Sequence, residues 1–432
     1  MDRNRTLMWD KRTSSIVSMR CIAVAASLAM SVIALDLSAP RAAASAPSSG
    51  NCNQPASEPI AWVDLPSTHA FQALPSDDGC WIYVSLATGN GEASDSDPAA
   101  KIAVLARRAG RISLRRVVQV GGNPNGMALT RDGKMLVLAD GNRVGFFDTA
   151  RLDSGHGNPA LGYWNDGTEA PGRTYVSLTS DDTYLFVSDE NVGTISVINL
   201  AKAKASHFAA TAIVGRIPVG NGPVAVTLSR DEKYLFSTSL FMDPAADWPP
   251  ECQPEWDPQA PKNAQGAIFV VNVATAKTDP ARSIVATVRA GCTPVRLVVS
   301  PQGGVAYVTA RGENSLLAFD TRNLVLDPTQ ALIGRVPTGT NPIGIAVIES
   351  GRKIVVTNSN RFGTGPPADQ SLLVIDASRI ASGDAAILGS IPAGSLPREM
   401  SLSPDLRTLF VVNTNSKSLE IIDLARLPMR PR

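Results

Sequence analysis

Three arginines stand at one recurring position of this chain: Arg173, Arg296 and Arg398, the last followed directly by Glu399. Each lies at, or within two residues of, the anchor of a repeated turn. Guanidinium groups are planar, permanently charged forks of donors, so three on one rim can hold an anion such as a carboxylate or sulfate. Arg296 and Arg398 with Glu399 are also the candidate catalytic set: the arginines to polarise a carbonyl, the carboxylate to position water. The same slot holds His69, Asn125, Val224 and Ile343. A second candidate region is the proline-rich insert Phe241–Gly266, where Trp248 and Trp256 stand among Asp243, Asp247, Glu251, Glu255 and Asp257. Indole rings there can stack on a sugar or clamp a partner. Plainer roles stay open, the arginines pairing with acids of neighbouring units and the tryptophans packing the insert down.

Other chemistry is sparse. The chain has 3 His, and no Cys-x-x-Cys-His sequence for attaching haem. His156 and His207 fall in connections expected on the face opposite His69. Asp95-x-Asp97 resembles half a calcium loop but lacks the downstream Gly and Glu. Neither a Gly-x-Ser-x-Gly elbow nor a Gly-x-x-x-x-Gly-Lys phosphate loop occurs. No metal and no cofactor is implied.

The elements that position these residues come from an internal repeat. Gly-x-x-Pro occurs at 121–124, 220–223, 291–294, 339–342 and 394–397. Eight residues after each Pro comes a turn position, occupied by Asp132, Asp231, Gln302, Ser350 and Asp405. Two further units lack the Pro and run from Arg173 to Asp181 and from Ala70 to Asp78. The seven anchors, 70, 124, 173, 223, 294, 342 and 397, are separated by steps of 54, 49, 50, 71, 48 and 55 residues. Within each unit lie short β-branched runs, such as LFVSD (185–189) with TISVIN (194–199) and VAYVTA (305–310) with SLLAFD (315–320). A fourth run precedes the next anchor, as in IVGRIPVG (213–220). Four strands per repeat of about 50 residues is propeller-blade spacing.

The ends complete the topology. The last unit stops after its third strand at Asp423, and EPIAWVDLP (58–66) reads as the missing fourth. An N-terminal strand that joins the last blade closes the ring and removes a sheet edge, which argues against an open solenoid. The expectation is an all-β, seven-bladed propeller of four-stranded antiparallel blades over residues 58–425. It would follow a short linker (45–57) and precede a tail (426–432).

Ahead of it, Cys21–Leu35 is an uncharged apolar run of 15 residues, preceded by Arg3, Arg5, Lys11, Arg12 and Arg20 and followed by Ala42-Ala43-Ala44. At 1.5 Å per residue it spans about 22 Å, short of a bilayer core of roughly 30 Å. Residues 1–44 therefore read as a secretory signal cut near Ala44, making the protein periplasmic or secreted. Their removal takes six basic and three acidic residues from totals of 40 and 39, leaving a net charge of −2 and no membrane span. That balance disfavours nucleic acid as a partner. Four cysteines remain, an even number suited to an oxidising compartment. Cys252 in the insert and Cys292 in the next Gly-x-x-Pro turn fall on one face and are expected to bond. Cys52 and Cys80 would then tie the N-terminal segment to the first blade.

Gly-x-x-Pro followed by strand, Ser-x-Asp turn and strand–turn–strand, as in PVAVTLSRDEKYLFSTS and PREMSLSPDLRTLFVVNTNSKSLEIID, resembles the YVTN-type β-propeller repeat family over nearly all of 58–425. The resemblance implies the fold and a relationship to lactonase-like and surface-layer-type propellers. Its members serve varied roles. The leading expectation is a monomeric, exported scaffold that binds a small-molecule ligand or a protein through its elaborated face and channel mouth, without catalysis of its own. A lactonase-like hydrolase and an accessory subunit of a periplasmic redox enzyme are the alternatives.

Overall fold

The computed structural model describes residues 52–66, 69–87, 100–243, 248–252, 263–363 and 370–431. The signal segment, Asp95 and Asp97, Trp256, and parts of the loops 87–100, 241–266 and 358–370 lie outside the described residues.

Seven antiparallel sheets form a ring of blades. Six first strands begin at the expected anchors, Ala70, Pro124, Arg173, Pro294, Pro342 and Pro397; that of the fourth blade is split into Asn221–Pro223 and Thr227–Leu228. The ring closes as anticipated. Ile60–Asp64 pairs with Ser418–Asp423, with Ile60 opposite Ile422 and Asp64 opposite Ser418. The C-terminal residues Arg430–Pro431 add a short fifth strand to the sixth blade, opposite Gly389 and Ser390. No described helix is long and apolar enough to cross a membrane.

The repeat's polar residues each satisfy backbone groups that a tight turn would leave bare. In the Ser/Thr-x-Asp turn, the Thr130 hydroxyl donates to Asp132 while the Asp132 carboxylate accepts from the Lys134 amide. Thr179–Asp181 and Ser229–Asp231 repeat the arrangement, and these hydrogen bonds hold both aspartates down at about 2. At the end of the third strand, Asp148, Asn199, Asn272, Asp320, Asp376 and Asp423 each accept a backbone N–H two or three residues on. In all but Asp320, which lies two residues before the cap position Arg322, this is the side-chain cap that starts a helical turn.

The apolar core is divided among the seams. Among the described residues seven clusters lie at the seams, one for each pair of neighbouring blades, and an eighth, small one lies at the channel mouth. Met135 and Phe146 pack with Leu185 and Val187 between the second and third blades, for example, and Ile82 packs with Phe410 and Leu419 across the closure. A polar lock reinforces the seams near the channel. Buried threonines of the second strands accept an amide of their own blade and donate to a carbonyl of the next: Thr238 to Val295 (2.8 Å), Thr309 to Ile343 (2.8 Å) and Thr357 to Arg398 (3.1 Å). Thr414 closes the circle onto Ala70 (3.0 Å). The Arg296 amide donates to Thr309 in turn (3.1 Å), so these hydroxyls fix the backbone beneath the mouth.

Thr309→Val keeps the shape and strands one buried N–H and one C=O. It is expected to cost about 2 kcal/mol, read as a lowered urea midpoint at an unchanged m value. An unaltered midpoint would show that the lock contributes nothing.

Candidate functional site

In six blades the register of the first strand shifts between its anchor and the third residue beyond it. Such a bulge re-aims side chains that would otherwise alternate. Here it lets two successive residues reach the mouth. From the position after the anchor come Phe71, Asn125, Thr174, Val224, Val295, Ile343 and Arg398; from the next come Tyr175 and Arg296. Val224, Val295 and Ile343 form a small apolar cluster of their own.

Beside that cluster, Glu399 (8% exposed) holds Arg296 (7% exposed) through a buried ion pair. The Tyr175 hydroxyl donates to the same Oε1 at 2.9 Å, and among the described residues no hydrogen bond reaches Oε2. The Arg296 guanidinium lies 3.9 Å from the Tyr175 ring centroid, and that of Arg398 lies 4.1 Å from Phe71. The loops after the second strands bring Glu190, Arg311, Arg361 and Phe362 to the same place, with Arg311 stacked 5.4 Å from Phe362. Burial, then the nearby Arg361, pushes Arg311 down to about 9. Burial pushes Arg296 down to about 10 against the pull of Glu399. Both stay charged at neutral pH.

Two cavities open here. An inner one of about 170 Å³ is lined by Arg296, Arg311, Arg361, Arg398 and Glu190 over the apolar floor. An outer one of about 530 Å³ adds His69, Phe71, Asn123, Asn125 and Asn191. They share Thr174, Glu190, Arg361, Phe362 and Arg398. Larger clefts of about 630 and 730 Å³ lie elsewhere, between blades and lined by the repeat's own turn residues such as Gln302 and Ser350.

Of the residues singled out from the sequence, His69, Asn125, Arg296 and Arg398 line these cavities, and Glu399 sits beneath them on Arg296. Arg173 does not. It occupies the anchor itself, fully buried, donating to Asp166 (2.8 Å) and the Asn142 carbonyl, facing Asp189 (3.4 Å) and lying over Trp164 (4.7 Å). Trp248 donates its Nε1 to the Asp243 carbonyl (3.2 Å) and lines neither cavity. Phe71, Tyr175, Glu190, Arg311, Arg361 and Phe362 went unnoticed in the sequence. Glu190 and Arg311 directly follow a second strand, the one regularity that marks them.

Both disulfides are present, Cys52–Cys80 with Cα atoms 4.8 Å apart and Cys252–Cys292 at 5.1 Å. Donor atoms of Cys252, Cys292 and Glu313 lie within 4.8 Å of one another. Both sulfurs are committed to the disulfide, and Glu313 accepts from the Cys292 amide (3.2 Å) and pairs with Arg335. This is a tether for the insert, with no thiolate to offer a metal.

No family model matches the chain, and no curated protein matches it in sequence. Solved structures do. Hydrazine synthase of Kuenenia stuttgartiensis superposes with a TM-score of 0.59 at 17% identity, covering 84% of this chain and 97% of that one. A chain assigned as a 6-phosphogluconolactonase from Bacteroides fragilis gives 0.58 at 14%, covering 83% and 95%. The Cps50 (Swd1) propeller domain of Myceliophteria thermophila gives 0.55 at 11%, covering 82% and 97%. At these identities the likenesses establish a seven-bladed β-propeller and nothing finer.

Proposed function

We propose that the protein is an exported propeller that binds a ligand or partner at the channel mouth and performs no catalysis itself. The observation that carries this reading is the convergence of His69, Asn125, Arg296 and Arg398, from four separate blades, on two connected cavities. Loops on a rigid scaffold are where recognition residues gather. The apolar segment after five basic residues and the two disulfides support export. The repeat's resemblance to YVTN-type propellers fits a scaffold role.

One observation favours a lactonase-like second reading. Among the described residues Glu399 Oε2 takes no hydrogen bond while Oε1 takes two and the ion pair to Arg296, a carboxylate oxygen left for a water beside arginines able to polarise a carbonyl. The test is hydrolysis of a panel of lactones by the purified protein, followed by pH-stat beside Arg398→Ala. No turnover is expected. Turnover that disappears in the variant would replace the scaffold reading with the hydrolytic one.

A further inference from the structure

We infer that the inner cavity is a clamp for a doubly charged oxyanion (a phosphate, a sulfate or two carboxylates on one molecule) held between Arg311 and Arg398. The inference deepens the binding-scaffold reading and rests on it only for the location of the site.

Arg296 is already answered by Glu399. Arg311 and Arg398 are not. Among the described residues neither guanidinium donates to any acceptor. Their contacts are ring faces, Phe362 for Arg311 and Phe71 for Arg398, and the Nε of each is buried without a partner. Arg296 adds a buried, unpartnered Nη1. A buried donor without an acceptor carries its full desolvation penalty, so a native fold keeps such a group where something else supplies the acceptor.

The two carboxylates at hand do not supply it. Glu399 receives Arg296 and Tyr175, and Glu190 receives the Thr174 hydroxyl at 2.8 Å. Two guanidiniums without acceptors call for two negative charges with several oxygen atoms, which a tetrahedral oxyanion or a dicarboxylate presents and chloride does not. The floor of Val224, Val295 and Ile343 offers no competing polar group. It also keeps the dielectric low, which strengthens charge pairing. The aromatic faces hold the planes of both guanidiniums in place before the ligand arrives, so little freedom is lost on binding. A cavity of about 170 Å³ suits the charged group alone, with the remainder of a larger ligand in the adjoining 530 Å³.

The test is calorimetric titration and thermal unfolding of the purified protein with phosphate, sulfate, succinate, acetate and chloride at one ionic strength and pH 7. At least one of the three dianions is expected to bind saturably, about tenfold or more tighter than acetate or chloride, with a matching rise in melting temperature. Phosphate and sulfate ahead of succinate identify a tetrahedral group; the reverse order identifies paired carboxylates. Arg311→Gln and Arg398→Gln should each weaken binding about tenfold, while Arg352→Gln, a turn residue on another part of the sixth blade, leaves it unchanged. Circular dichroism confirms that the variants fold.

Equal shifts from every salt would overturn the clamp, as would acetate matching the dianions or an unweakened Arg311→Gln. Lactone turnover would remove the non-catalytic reading and leave the clamp standing, whereas indifference to dianions removes the clamp alone.

Discussion

Glu399→Ala is expected to destabilise the ring by about 3–5 kcal/mol. Among the described residues its carboxylate is the sole hydrogen-bond partner of the buried Arg296 side chain, and it also receives the Tyr175 hydroxyl. Truncation leaves a cation at 7% exposure beside Arg311, Arg361 and Arg398, with Glu190 the carboxylate left lining the cavity and already receiving the Thr174 hydroxyl. An ion pair of this kind is costly to break from one side, and much less costly to replace entirely. The paired substitution Arg296→Met with Glu399→Leu should therefore lie well above the single variant in urea midpoint. If Glu399→Ala unfolds at the wild-type midpoint, the pair is dispensable to the fold.

The second large effect concerns pH. Glu420, in the third strand of the last blade, is fully buried; Oε2 accepts from Asn413 Nδ2 at 3.0 Å, the Gly394 N–H stands nearby, and Oε1 has no partner among the described residues. Burial pushes its carboxyl up to about 7, from the usual 4.5. A folded-state value above the unfolded one means the fold holds the proton more tightly. The group's stabilisation is then complete below about pH 4.5 and is lost as pH rises through 7. Asp140, equally buried and also pushed up to about 7 despite Arg143, adds to the same slope. The protein should be more stable at pH 5 than at pH 8.5. Glu420→Gln should recover about 3 kcal/mol at pH 8.5 and change little at pH 5. Urea unfolding at the two pH values reads this directly. A variant with the wild-type gap between them would rule Glu420 out as its source.

The blades were legible because each repeat must solve one local problem in the same way. Asp132, Asp181, Asp231 and Asp405 are spaced by the turn they stabilise, and Asp148, Asp376 and Asp423 by the cap they form. Closure was legible in the unpaired edge that Ile60–Asp64 covers. The mouth was legible only in part, since the slot spans the anchor and the positions just after it, and nothing in the sequence says which of these faces the channel. The bulge after the anchor in six blades exposes two positions, and in the third blade it leaves the anchor's own side chain, Arg173, below the rim. Arg173 therefore belongs with Asp189 and Trp164 in a seam, while Phe71 and Tyr175, dull in sequence, become walls of the cavity. Arg311, Arg361 and Phe362 come from loops of unequal length, where no period marks a residue. Their convergence depends on the diameter of the ring, which no local pattern encodes.

The pairing of Asp64 with Ser418 also sets a clock. The strand that completes the last blade is among the first made, and its partner leaves the ribosome some 350 residues later. At 5–20 residues per second that is a wait of about 20–70 s. Throughout it, six blades can form but the circle cannot, and one apolar edge at each end stays open to wrong company. On the exported reading proposed above, this arrangement leaves no closed ring to undo before the strand Ser418–Asp423 has been made.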